Sequence, residues 1–165
     1  MNKDVINQLI QDYYLDLSTL TVFSKTEHQI HRKEYETIHK FHLTPAQFGV
    51  LETLYNKGEL CIQQLIDKNL SSSGNMTVVI RNMERDGWII KTPSPTDRRV
   101  SLISLTEKGR DWIEQILPEH YENVHSIFSV LDRDEKETLK QLLKKLSFAQ
   151  ANDKKEITEG DKKHE

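Results

Sequence analysis

The sequence predicts a mainly α-helical fold with one small β-hairpin, and three observations lead there. Apolar residues recur at helical spacing along most of the 165 residues. Two short runs of β-branched and aromatic residues, Trp88–Thr92 and Val100–Leu105, flank a turn that contains Pro and Asp. Capping residues and Gly or Pro stops separate the helical runs.

From Asp4 to Phe41 no Gly or Pro interrupts the apolar series Ile6, Leu9, Ile10, Tyr13, Leu17, Leu20, Phe23, Ile30, Ile38. This predicts one long helix, or two joined end to end. At about 1.5 Å per residue such a helix outruns a small domain, so a partner subunit is expected to cover it. Thr44-Pro45 starts the next helix, with Thr as N-cap and Pro in the first turn; Phe48, Val50, Leu51 and Leu54 form its buried side before Lys57-Gly58. A short helix from Leu60 to Asn69 carries Ile62, Leu65 and Ile66, and a serine-rich turn follows.

Ser72 or Ser73 caps the next helix, which runs to Arg85 or Asp86 with Met76, Val79, Ile80 and Met83 inward and Gly87 ending it. The two β runs then form a two-stranded hairpin. Thr106 caps a helix through Trp112, Ile113, Ile116, Tyr121, Val124 and Phe128, in which Pro118 is expected to cause a bend. Asp132 with Glu135 is a capping-box pair for a last helix through Leu139, Leu142, Leu143 and Leu146. The mixed-charge segment 150–165 has almost nothing to bury and is expected to be an unfolded tail.

Composition sets further bounds. Apolar residues are 36% and charged residues 30%, which suits an elongated helical protein with much solvated surface. The formal net charge of −3 excludes a uniformly basic domain, so any nucleic-acid contact has to come from locally clustered charge. Cys61 is the single cysteine, which rules out an intramolecular disulfide and suits a reducing compartment. With no apolar run of membrane length and no signal-peptide core after Met1, the expectation is a cytoplasmic protein without membrane contact.

Helix, turn, helix, β-hairpin is the order of a winged helix-turn-helix. The segment around the fourth helix has the chemistry to match. Ser71, Ser72 and Ser73 offer hydroxyls, and the helix start offers free N–H groups, to phosphates, while Gly74 allows close approach. Asn75, Thr77 and Arg81 carry donors, acceptors and a methyl group suited to major-groove base edges. At the hairpin tip Asp97 is expected to pair with one of Arg98 and Arg99 while the other enters a minor groove. Arg85 and Lys91 are candidates for phosphate contacts. A serine run alone is more often a simple cap, and Asp-Arg-Arg alone more often a solvated turn; their ordered combination is what points to DNA.

These residues resemble the MarR family of bacterial transcriptional regulators. The resemblance rests on Leu43-Thr44-Pro45-Ala46-Gln47-Phe48, Met76-Thr77, Met83-Glu84-Arg85-Asp86-Gly87-Trp88-Ile89, Asp97-Arg98-Arg99 and Leu105-Thr106-Glu107-Lys108-Gly109. Ser73-Gly74-Asn75-Met76-Thr77 is similar to the branch that represses quinone- and hydroquinone-detoxification genes. The resemblance implies a single domain over 1–149, with dimerisation helices at about 4–41 and 107–149 and a winged lobe at about 44–106. It further implies a homodimer on a pseudo-palindromic operator, Asn75, Thr77 and Arg81 in the recognition helix, Asp97 and Arg99 in the wing, and Arg99 as minor-groove finger. Release by a small phenolic, quinone-like or other lipophilic effector follows from the same resemblance.

Three inputs for such a signal are legible. Cys61, placed near the start of the third helix, is a candidate thiol, although a small core residue is the commoner role. His28 with His31, and His39 with His42, have i, i+3 spacing, but histidines on a polar helix are more often solvated, and no metal site is assigned. Tyr13, Phe23, Phe41, Phe48, Tyr55 and Trp112 are candidates to line an organic-ligand cleft, against the commoner role of aromatics as core. No nucleophile–base pair, Gly-rich phosphate loop or CxxC motif stands out, so neither an enzyme nor a cofactor is expected. The alternative of another class is a winged-helix protein-interaction module.

Overall fold

The computed structural model describes residues 3–69, 72–97 and 99–160. In chain order the elements are α1 (Lys3–Asp12), α2 (Tyr14–Lys40), α3 (Pro45–Lys57), β1 (Leu60–Cys61), α4 (Ile62–Asn69), α5 (Ser73–Arg85), β2 (Ile89–Pro93), β3 (Ser101–Leu105), α6 (Glu107–Phe128) and α7 (Arg133–Gly160). The chain divides into two compact units after Val124.

In the first unit, the long N-terminal helix is two. The backbone leaves helical geometry at Tyr13 (φ −105°, ψ 18°), where no Gly or Pro announces a break. α1 buries none of its residues, and α2 buries only Thr37 and Ile38 near its end. The reciprocal box predicted for α3 is present: Gln47 N–H donates to Thr44 Oγ1 at 3.2 Å and Thr44 N–H to Gln47 Oε1 at 2.9 Å. Two orphan donors of the first turn are thereby satisfied.

Leu60 and Cys61 do not begin the third helix; they form a short strand opposite Ile103 and Leu102, and the helix starts at Ile62. The hairpin is consequently the larger part of a three-stranded antiparallel sheet, ordered β1-β3-β2. A two-residue strand has no periodicity of its own, so only its pairing reveals it. Lys91 faces Ile103 and Pro93 faces Ser101, and Pro93 ends the edge strand β2, where its missing N–H costs no ladder bond.

The core lies among α3, α4, α5, the sheet and the ends of α2 and α6. It consists of residues such as Ile38, Leu51, Leu65, Met76, Ile80, Met83, Ile89, Ile103, Ile113 and Ile116, all nearly sealed from solvent. Burying each such side chain contributes about 1.5–3 kcal/mol. α6 runs continuously through Pro118 and buries Gly109, Ile113, Ile116, Leu117 and His120. Lys40 pairs with Glu119 at 2.6 Å, so the end of α2 is tied to α6 from the surface side too.

The end of α5 is closed by a compact set of bonds. Gly87 takes φ 76°, a conformation that favours glycine, and lets its N–H donate to Glu84 O and Trp88 N–H to Met83 O, both at 3.0 Å. Thr106 then donates its hydroxyl to Gly87 O at 2.7 Å, its N–H to Trp88 O at 3.0 Å, and accepts from Gly109 N–H at 3.0 Å. Gly109 lies so near this turn that a Cβ there would stand 1.9 Å from Trp88 O.

In the second unit, Asp132 and Glu135 form the expected capping box, each backbone N–H donating to the other's carboxylate at 2.9 Å. Lys140 bonds Glu137 at 2.6 Å and holds that carboxyl below its ordinary value. Leu139 and Leu143 line a groove of about 430 Å³ with Phe128 and the stems of Lys136, Lys140 and Lys144. α7 runs on to Gly160, past residue 150 where an unfolded tail is expected; no Gly or Pro precedes Gly160 to stop the helix. Among the described residues no helix is long and apolar enough to cross a membrane.

Gly109→Ala should destabilise the protein by about 1–3 kcal/mol or more, because the new methyl has to displace the Trp88 backbone. Urea unfolding of this variant beside the wild type checks it; equal midpoints would show that the close approach is not a constraint.

Candidate nucleic-acid interface

α5 has two opposite faces. At about 3.6 residues per turn, Met76, Val79, Ile80 and Met83 fall on one stripe and are buried, which anchors the helix in the core. Gly74, Val78, Arg81 and Arg85 fall on the opposite stripe and are exposed, with Asn75 and Thr77 exposed on its flanks. Ser72 caps the helix in extended geometry (φ −79°, ψ 151°), its Oγ accepting from Asn75 N–H at 3.3 Å. That bond uses an oxygen lone pair and leaves the hydroxyl proton to donate elsewhere. Ser71 and Arg98 lie outside the described residues, as does the side chain of Ser73.

The hairpin tip is closed by its own backbone. Ser94 N–H donates to Val100 O at 2.8 Å and Val100 N–H to Asp97 O at 2.9 Å. Ser94, only 7% exposed, accepts from Thr96 N–H and shares a hydrogen bond with the Thr96 hydroxyl at 3.0 Å. Asp97 differs from expectation in how it acts on Arg99: its Oδ1 accepts from the Arg99 backbone N–H at 2.9 Å, so the carboxylate shapes the turn that carries the arginine. A short Asp side chain reaches the amide two residues on more readily than a long guanidinium folds back to it. Arg99 itself is exposed.

The two further cations are already paired. Arg85 Nε lies 3.2 Å from Asp86 Oδ1, and Lys91 Nζ lies 2.6 Å from Glu84 Oε2. Spacing alone does not reveal the second pair, because the strand that carries Lys91 returns alongside α5. Exposed pairs of this kind contribute at most about 1 kcal/mol, so a polyanion can compete for either cation.

The six aromatic residues expected around one cleft are dispersed. Phe41 and Trp112 meet edge to face with centroids 6.0 Å apart. Phe48 is in the core, 4.3 Å from the His120 ring. Tyr55 lies under the Arg110 guanidinium at 5.6 Å, while Tyr13 and Phe23 are about half exposed toward the N-terminus. Helical spacing places aromatics on faces but does not bring the faces of separate helices together.

A different set of residues encloses a cleft of about 430 Å³. It lies between α2, α3, the end of α4 and the start of α5, and of the six aromatics it is bordered by Phe48. His31, Glu34, Tyr35 and Glu52 supply its polar wall, and Ser72 and Asn75 bring it to the first turn of α5. His31 is held by Glu34 at 2.9 Å and Glu27 at 3.2 Å, and stacks on Tyr35 with centroids 5.3 Å apart. Burial, with help from Glu34 and Glu27, raises the pKa of the Tyr35 hydroxyl above its ordinary value. Sequence reasoning misses this wall, since its members are polar residues on separate helices. Cys61 is half-buried on β1, its backbone N–H donating to Gln64 Oε1 at 2.9 Å. Among the described residues no group of three His, Cys, Asp or Glu side chains is placed to hold a metal ion.

Val78 is the exposed residue that sequence reading passes over. Valine in an amphipathic helix is counted as core, yet this one is 44% exposed. Its i+4 spacing from Gly74 and i−3 spacing from Arg81 is the signal that places it outward.

Comparison with known proteins gives consistent results. A profile described as the MarR family matches residues 43–101. The HTH-type transcriptional regulator MhqR of Bacillus subtilis is 38% identical over 132 residues, spanning 80% of this chain and 91% of that protein. A solved structure of Bordetella bronchiseptica BpsR, whose DNA binding is regulated by 6-hydroxynicotinic acid, matches with TM-score 0.70 and 25% identity over 77% of this chain and 91% of its own. A mutant form of Escherichia coli MarR, solved in complex with operator DNA, shares the fold, with TM-score 0.69 and 23% identity over 81% of this chain and 96% of its own.

If Asp97 acts through the backbone, Asp97→Asn should keep the tip closed and Asp97→Ala should open it. Amide hydrogen exchange at Arg99 is expected to rise about tenfold in the alanine variant alone. The same rise in both variants would show that the charge, not the acceptor, matters.

Proposed function

The chain belongs to the MarR family of transcriptional regulators, and on that premise we propose that it is a homodimeric repressor which holds a pseudo-palindromic operator and releases it when a small phenolic or quinone-like compound binds. The observation that carries this reading is the exposed stripe of α5 beside a wing tip closed around Arg99. In this reading Asn75, Thr77 and Arg81 address base edges in the major groove, Arg81 being suited to guanine O6 and N7. Ser72, the start of α5 and Arg85 take phosphates, and Ser71 and Ser73 join them by their place in the sequence. Arg99 enters the adjoining minor groove, with Arg98 beside it. Such contacts are local, which reconciles DNA binding with a net charge of −3.

The dimer is supported by apolar surface that each unit leaves uncovered. Val5, Leu9, Ile10, Leu15, Leu20 and Phe23 are between 43% and 75% exposed in the first unit. In the second, Leu142, Leu146 and Phe148 are between 56% and 68% exposed. Patches of that kind on a soluble protein mark interaction surfaces. The family's two-fold arrangement would use both to set two α5 helices about one DNA turn apart.

The effector reading rests on the cleft that touches Ser72 and Asn75. A molecule seated there presses on the first turn of α5, where the helix meets phosphate. Its lining includes the carboxylates Glu34 and Glu52 and no lysine or arginine among the described residues. That wall repels anions and accepts hydrogen bonds from hydroxyl groups, which favours a neutral hydroquinone or phenol over an aromatic carboxylate. The likeness to MhqR extends over most of both chains and supports placing this protein beside it.

DNA affinity for a fragment upstream of its own gene should fall steeply with salt, and Arg99→Ala should weaken it at least about tenfold. Arg81→Ala should change base preference, whereas Arg85→Ala should lower affinity evenly. Electrophoretic and anisotropy titrations, with light scattering for the dimer, check these outcomes; a monomer with no salt-dependent DNA binding would sink the reading. Separately, hydroquinone should release DNA at lower concentration than 4-hydroxybenzoate. Replacing Glu34 and Glu52 by Gln should narrow that gap about tenfold; an unchanged gap would place the effector elsewhere.

A further inference from the structure

Resting on the DNA-binding reading of α5, we infer that Val78 is a specificity residue that recognises thymine through its C5 methyl group. Four residues share the outward stripe of the helix: Gly74, Val78, Arg81 and Arg85. Three of them have an evident use toward DNA, as close approach and as cations. Among the described residues Val78 takes no part in the buried core. The core stripe is already complete without it, with Met76, Ile80 and Met83 at most 1% exposed and Val79 at 8%, while Val78 is 44% exposed.

A valine at such a position is a double cost. It leaves apolar area in water, and its β-branched side chain loses rotamer freedom against the preceding turn of helix. A polar or unbranched residue would serve a solvated face better. The major-groove edge of an A·T pair offers what this side chain lacks, an apolar partner: the thymine methyl, which no other base pair presents. Contact there seals both methyl surfaces from water.

The glycine one turn earlier points the same way. A Cβ at Gly74 would meet no heavy atom within 4 Å among the described residues. Packing among the described residues therefore gives no reason for its absence, and Gly gives up more backbone freedom on folding than Ala would. An open position at i−4 from Val78 lets the DNA come close to the helix axis, which a short side chain needs. Arg81, at i+3, then reaches the next base step with its longer arm. The stripe thus predicts a thymine adjacent to the guanine that Arg81 addresses, in each half-site.

The experiment uses the full chain and duplexes recovered by it from a random pool. In the recovered site each thymine is replaced in turn by deoxyuridine, which deletes only the C5 methyl, with symmetric replacement in both half-sites. For the wild type, one position per half-site should lose about three- to fivefold in affinity per methyl removed, the factor expected from one methyl group. Val78→Ala should bind the thymine and deoxyuridine duplexes equally at that position, and Val78→Thr, which keeps one methyl, should be intermediate. The thermal midpoint of the alanine variant should be unchanged or higher, since the site is exposed and Ala favours helix.

Two outcomes overturn the inference while leaving DNA binding intact. Either the wild type selects a site but no thymine methyl matters, or one matters equally to wild type and Val78→Ala. If the wild type selects no site at all, the DNA-binding reading itself fails, and this inference with it.

Discussion

The junction at Gly87–Trp88 is the constraint on which the arrangement depends. There the last turn of α5, the first residue before β2 and the first turn of α6 share one set of hydrogen bonds, centred on Thr106. Gly87 turns the chain, and Gly109 removes the side chain that would keep α6 from the Trp88 backbone. Lys108 adds a bond from Nζ to Asp86 O at 2.8 Å, a cation placed where the helix dipole is negative. One knot thereby sets the direction of the helix that faces outward, of the sheet that flanks it, and of the helix that leads away from both.

From that knot outward, the interface is a compromise between anchoring and exposure. α5 commits four side chains to the core and leaves the opposite stripe to solvent. Its neighbouring charges are tied into the weak surface pairs of Arg85 with Asp86 and Lys91 with Glu84. Those pairs keep the cations near the face without fixing them, and they limit the positive field in a chain whose net charge is −3. In the proposed complex the phosphates take over as partners, at small cost because each existing pair is exposed.

In the proposed function, the polar cleft beneath the first turn of α5 is the physical route between a small molecule and this face. Its walls come from α2, α3 and the end of α4, so occupancy bears on how α5 sits against three other helices at once. Tyr35 links it to the His31 stack on α2, whose N-terminal stretch carries the exposed apolar residues assigned to the dimer. In the proposed function, effector, dimer and DNA are therefore coupled through α2 and the cap of α5.

Much of the fold is legible in the sequence, for a definable reason. The capping boxes at Thr44 and Asp132, the cap at Ser72, the stop at Gly87 and the core stripe of α5 are local: each depends on residues within one or two turns. What escapes is non-local. The strand at Leu60–Cys61 exists only because β3 lies beside it, and the break at Tyr13 carries no breaker residue. The six aromatics do not share one cavity, while the polar wall of His31, Glu34 and Glu52 comes from helices whose approach no spacing rule describes. Asp97 lies at the hairpin tip, as its place in the sequence implies, but its bond to the Arg99 amide is a property of the folded turn. By itself, then, the sequence determined the order of the longer elements, most of their ends and the family they belong to, since caps and periodicity are short-range. Only the tertiary structure decided which faces meet and that a cleft opens under α5, because burial is settled by packing between segments far apart in the chain.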